Sequence, residues 1–131
     1  MNIFMIIGLV FATLSALLHV LIVYMEIFAW EGPLARKTFG GTAEEARPFA
    51  FFAYNQGLYN GFLAVEAGVG IVLVLMGHVV IGSTLIIAAT ASMMSAAVGL
   101  VLKDHSRTIA AVKQGTFPFI SLIFMIIGLI D

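Results

Sequence analysis

The chain contains no cysteine, which excludes disulfides, thiolate metal sites and thiol redox chemistry. Charge is scarce as well: 10% of the 131 residues are charged against 62% hydrophobic, whereas a soluble domain carries roughly one charged residue in four. Six Lys/Arg and seven Asp/Glu cannot cover the outside of a globule of this size, so the solvent around most of its surface is lipid. A net charge of −1 lacks the basic surface that displaces counterions from phosphates, and nucleic acid is not expected as a partner. Runs of alternating apolar and polar residues are missing, which excludes a β-barrel.

What the chain does have is long, continuous apolar segments. A bilayer core of about 30 Å and a helical rise of about 1.5 Å per residue require about 20 residues per span. The sequence predicts one all-α domain, an antiparallel bundle of four transmembrane helices over residues 3–27, 53–76, 80–102 and 109–130. The middle two spans share an apolar run from Gly61 to Leu102 in which only Glu66 and His78 can carry charge. About forty residues would form a helix of about 60 Å, so this run folds back, with Gly77, His78 and Gly82 marking the hairpin. The first segment has no Lys or Arg before Ile3, exceeds a signal-peptide core and is followed by no small-residue cleavage site. It is read as a retained helix that continues through Tyr24, Met25 and Glu26 toward Trp30.

The basic residues are one-sided. Arg36, Lys37 and Arg47 lie between the first two spans, Lys103, Arg107 and Lys113 lie at the junction of the last two, and the other ends have none. The positive-inside rule therefore places both connections in the cytoplasm and both termini outside, in a multi-pass protein of the cytoplasmic membrane. The larger loop, about residues 31–52, is punctuated by Gly32, Pro33, Gly40 and Gly41; Thr42 and Glu45 form a capping-box pattern, and Pro48 implies a kink or the first turn of the second span. Phe49, Phe51, Phe52 and Tyr54 match an interfacial aromatic belt.

Helices in lipid associate through small residues. Gly57, Gly61, Ala64 and Gly68 recur at spacings of four, three and four, and Ala88, Ser92, Ala96 and Gly99 at similar spacing, so the two hairpin helices are expected to meet along these stripes, with a subunit contact as the alternative. Ionisable and amide groups inside the spans are the best guide to function, because they are costly in a bilayer. His19 and Glu26 are two helical turns apart, with Trp30 continuing their face; Asn55, Gln56, Tyr59 and Asn60 open the second helix; Glu66 lies near the midplane, within reach of Ser15, Ser92 or Ser121; Gln114 opens the last helix. The topology brings these groups to the cytoplasmic half, with His19 about 6 Å below the boundary, and implies a polar pocket open to the cytoplasm. Lys103, Asp104, His105, Arg107 and Lys113 read as ordinary interfacial residues. No nucleophile elbow, P-loop or HExxH motif is present, and neither a metal site nor a cofactor is expected.

The segments HVLIVYMEIFAW (His19 to Trp30), NQGLYNGFLA (Asn55 to Ala64) and KQGTFPF (Lys113 to Phe119) together resemble a bacterial family of small four-helix membrane proteins known only as domain of unknown function number thirteen-oh-four. Lys113 before the QG pair and Phe119 after the proline depart from its pattern. The resemblance implies a four-helix integral membrane protein and carries no activity; its characteristic residues are His19, Glu26, Asn55, Gln56, Tyr59, Asn60 and Gln114. The expected function is small-molecule binding or transport by a homo-oligomer, dimer or larger, with Glu66 or Glu26 as a proton-coupling carboxylate. The alternatives are a membrane enzyme such as an isomerase, with His19 and Glu26 as acid and base, and a structural accessory subunit.

Overall fold

Asn2 opens the first helix: its Oδ1 accepts from the Met5 N–H at 2.9 Å, satisfying one of the free donors of α1 (Ile3–Val23). The computed structural model describes all 131 residues. Past Val23 the helix runs on through Tyr24, Met25 and Glu26, as expected, but stops at Phe28, short of Trp30. It widens into a single π turn, Tyr24–Phe28, closed by the Ala29 N–H on the Tyr24 carbonyl at 3.0 Å. The extra residue turns both Glu26 and Ile27 toward the next span, where Gly57 leaves room: a Cβ on Gly57 would lie 2.6 Å from Ile27 Cγ1 and 3.2 Å from Glu26 Cβ.

The connection is a folded cap rather than a loose loop. Pro33 starts α2 (Pro33–Phe39), where its missing N–H costs nothing, and Gly40 and Gly41 take the left-handed conformations (φ +85° and +74°) that turn the chain into α3 (Ala43–Ala46). Thr42 and Glu45 close the capping box, with the Glu45 N–H on Thr42 Oγ1 at 3.2 Å and the Thr42 N–H on Glu45 Oε2 at 2.9 Å. Pro48 is taken up in a 3₁₀ turn, Arg47–Phe49, that leads into α4 (Ala50–Leu75). Phe49, Phe51, Phe52 and Tyr54 are all exposed.

Met76–His78 form the hairpin turn, with Gly77 at φ +90°, and α5 (Val79–Lys103) returns. Gly82 is a packing residue, not a turn residue: a Cβ there would sit 2.6 Å from the Gly70 carbonyl oxygen, and one on Gly70 would sit 2.7 Å from that of Gly82. The hairpin seam is therefore Gly70 and Val74 against Gly82 and Ile86, continued by Ala67 against Ala89 and Met93. This corrects the expected stripes. Gly57 and Gly61 face Ile27 and Val23 of the first span, Ala64 is buried, Gly68 meets nothing, and Ala88, Ser92, Ala96 and Gly99 are turned outward. The reason is angular: Gly70, Val74 and Ala67 lie on a different flank of α4 from Gly57 and Gly61.

After α5, Asp104 caps a 3₁₀ turn, His105–Arg107, and α6 (Thr108–Ile130) ends the chain. Pro118 lies inside α6 and is buried, so the Gln114 carbonyl loses its N–H partner four residues on. The four long helices form a ring: α1 packs on α4 and α6, and α5 packs on the same two. Ser121 Oγ donates to the Gly8 carbonyl at 2.9 Å where α6 crosses α1, and Asn2 Nδ2 donates to the Gly128 carbonyl at 3.0 Å, which brings the two termini to one end. All four helices are long and apolar enough to cross a membrane, and the outward faces carry large apolar side chains such as Leu17, Val20, Phe62, Val65, Val80 and Ile123.

Candidate functional site

His19 is the deepest polar ring in the bundle. It is only 3% exposed, on the line of α1 that also carries Ser15 and Ala12, between residues facing α4 (Ala16, Val23) and residues facing α6 (Gly8, Phe11). Its Nδ1 lies 2.9 Å from the Ser15 carbonyl. A carbonyl only accepts, so Nδ1 carries the proton and, in the neutral ring, Nε2 presents a lone pair. Nε2 makes no hydrogen bond within the protein, and no carboxylate lies within 4.0 Å of the ring.

Glu26, in the π turn, accepts from Asn60 Nδ2 at 2.8 Å, and the same amide donates to the Gln56 carbonyl at 3.1 Å. This bond joins the first two spans at the depth where Gly57 allows their backbones to approach. The π turn also separates what the sequence aligned. Glu26 turns to α4 and does not pair with His19. Trp30 leaves that face altogether and builds the cap: its Nε1 donates to the Ala46 carbonyl at 2.8 Å, the Arg36 guanidinium lies 4.4 Å over its ring, and Phe39 packs on it at 5.5 Å. Arg36 is held there by bonds from Nε to the Trp30 carbonyl (3.1 Å) and from its NH1 nitrogen to the Gly40 carbonyl (2.6 Å), while its second terminal nitrogen is buried without a partner.

The remaining residues divide. Gln114 is half-buried on α6, one helical turn before Pro118, whose missing N–H cannot bond to its main-chain carbonyl. Asn55, Gln56 and Tyr59 are exposed on the outside of α4, where Tyr59 packs edge-on against Phe62 at 6.2 Å. Glu66 shares the Tyr59 and Phe62 side of α4, is half-buried and has no hydrogen bond or ion pair. The serines at its depth are occupied elsewhere: Ser15 Oγ donates to Phe11, Ser92 Oγ to Ala88 and Ser121 Oγ to Gly8, in each case to a carbonyl. The structure thus joins Glu26 to Asn60, buries His19 separately on α1, leaves Gln114 and Glu66 half-buried with no side-chain hydrogen bond, and exposes Asn55, Gln56 and Tyr59.

A feature that sequence reasoning missed is a groove of about 420 Å³ between α5 and α6, lined by Met94, Val98, Leu102, Val112, Phe119 and smaller residues. Its inner wall is Ala97 against Gly115, where a Cβ on Gly115 would meet that of Ala97 at 2.9 Å. The only signal in the sequence is the run of small residues, Ala97, Ala111 and Gly115, and such residues are abundant throughout the chain.

These observations define a polytopic helical membrane protein whose spans carry a small group of buried or half-buried polar residues, His19, Glu26, Asn60 and Gln114. The chain belongs to the family described as protein of unknown function (DUF1304), which matches residues 13–126 and so spans every residue of that group. Among curated proteins and among solved structures, none matches the chain.

Proposed function

We propose that the protein binds, and in a homo-oligomer transports, a small polar or amphipathic molecule at the intramembrane group formed by His19, Glu26, Asn60 and Gln114. The six basic residues at the same end of the bundle support a cytoplasmic opening, with both termini outside and the chain in a cytoplasmic membrane. Four helices are few to enclose a path, which favours more than one copy. The observation that carries the reading is the His19 ring: 3% exposed, its tautomer fixed by Ser15, its Nε2 without a partner. Nε2 is not among the fully buried atoms without a partner, so a polar molecule has room to meet its lone pair, which is costly to leave bare within a span. Glu26, held at 2.8 Å by Asn60, is the carboxylate that the geometry offers for proton coupling, in preference to Glu66, which has no side-chain partner. Acid–base catalysis is less well served, because His19 and the nearest acids do not pair.

The test is reaction of the imidazoles with diethyl pyrocarbonate in membrane vesicles, read peptide by peptide by mass spectrometry. His78 and His105 are exposed and give internal references. A pocket that admits a small polar molecule of the reagent's size lets Nε2 of His19 react within about a hundredfold of these rates, whereas a sealed core histidine stays unmodified until the protein unfolds. Modification of His19 only on unfolding overturns the reading.

A further inference from the structure

We propose that the groove between α5 and α6 is a binding site for an anionic phospholipid of the bilayer, with one acyl chain in the groove and the phosphate at the turn between the two helices. The groove runs from Met94 to Leu102 on α5 and from Ala111 to Phe119 on α6, a length of roughly 12 Å at the helical rise. Its single polar lining residue, Thr116, is not available to a ligand's head, since its Oγ1 donates to the Val112 carbonyl at 2.6 Å. The lining is thus suited to hydrocarbon, and its volume of about 420 Å³ is in the range of small-molecule sites.

The end of the groove decides which lipid. Leu102 and Ala111, its last lining residues, flank the turn that holds Lys103, His105 and Arg107, and Lys113 is the residue after Val112 in α6. The only acid there, Asp104, is already engaged: its Oδ1 accepts from the Ser106 hydroxyl at 2.6 Å and the Ser106 N–H at 3.0 Å, and its Oδ2 lies 3.5 Å from Arg107 Nε. Lys103 and Lys113 are exposed and have no acid within 4.0 Å. An apolar slot that ends beside the turn carrying Lys103, His105 and Arg107, with Lys113 one residue past its lining, is complementary to a lipid with an acyl tail and a negative head. Basic sites between helices at this level hold anionic headgroups elsewhere by the same physics.

The site is separate from the His19 group, so the experiment bears on it alone. The full-length protein is purified in detergent, mixed with equal amounts of phosphatidylglycerol and phosphatidylcholine of identical chains, and read by native mass spectrometry; glycerol 3-phosphate serves as a chainless control. The expected result is phosphatidylglycerol retained about tenfold over phosphatidylcholine, with no retention of glycerol 3-phosphate. Val98→Trp fills the groove from its exposed side and removes retention of both lipids, whereas the double change Lys103→Gln, Lys113→Gln removes only the preference. Equal retention of the two lipids by the unchanged protein overturns the proposal, as does an anionic preference that survives Val98→Trp, which would indicate charge alone. Retention of glycerol 3-phosphate overturns the role given to the acyl chain. A Lys103→Arg, Lys113→Arg protein keeps the preference and shows that loss in the glutamine variant comes from charge and not from misfolding.

Discussion

Gly70 and Gly82 are the residues at which a single methyl group decides whether the hairpin closes. A Cβ on either would lie within 2.7 Å of the other's carbonyl oxygen, a backbone atom that cannot swing away. Gly70→Ala is expected to cost about 1–3 kcal/mol through overpacking, seen as a lower melting temperature in detergent. Gly68→Ala, two residues earlier in a spot where nothing lies within 4 Å, is expected to change stability by less than about 1 kcal/mol. Equal effects at the two positions would place the seam elsewhere. A second pair of substitutions separates the charge of Glu26 from its hydrogen bond. Glu26→Gln still offers an oxygen to Asn60 Nδ2 and is expected to be nearly neutral for stability, whereas Asn60→Leu leaves the carboxylate without its 2.8 Å partner inside a span and is expected to cost about 1–3 kcal/mol. Thermal unfolding of the two variants beside the parent gives the comparison, and an Asn60→Leu protein as stable as the parent would remove the bond from the account.

At the level of elements, the turn between α5 and α6 carries a pH signature. Hydrogen bonds from the Ser106 hydroxyl and N–H, then the charge of Arg107, hold the Asp104 carboxyl below its ordinary range. Because the native value is depressed, this cap stabilises the turn fully above the unfolded carboxylate value of about 4 and is lost as pH falls through the lower native one. The melting temperature of the parent should drop more steeply below about pH 4 than that of Asp104→Asn, and parallel curves would show that the cap contributes nothing. The elements themselves were largely legible. Four apolar runs gave four helices, because in lipid each must satisfy its own backbone, and Thr42 and Glu45 announced their capping box by type and spacing. The π turn was not legible: nothing in Tyr24–Phe28 departs from helical composition, and the extra residue is accommodated only because Gly57, on another helix, leaves space for Ile27 and Glu26. That one turn moved Glu26 off the His19 face and took Trp30 into the cap, so part of the candidate site rested on an uninterrupted 3.6-residue period that the chain does not keep.

For the whole molecule, residue spacing gives the direction in which a side chain leaves its helix but not the neighbour found there. Gly57 and Gly61 were readable as a contact, while their partner, α1 rather than α5, depends on the ring order of the helices. The same holds for Glu66: its depth follows from counting, while its half-buried setting without a hydrogen bond or ion pair follows only from how α4 is turned. The overall orientation is the property on which the reading of a cytoplasmic pocket depends, and the missing cysteines make it accessible to a clean experiment. The parent has no thiol, so each introduced cysteine is the only site for a membrane-impermeant maleimide. His78 lies in the turn at the end that also holds the termini, and Lys37 and His105 lie at the opposite end; all three are exposed. With every basic residue at the Lys37 end, inversion of the bundle would translocate all six of them. In intact cells His78→Cys should therefore label to completion, while Lys37→Cys and His105→Cys label only after the membrane is permeabilised. The opposite pattern would turn the His19 group to the outside and withdraw the cytoplasmic opening. Labelling of all three in intact cells would mean mixed insertion, and the charge asymmetry would then not be what orients the chain.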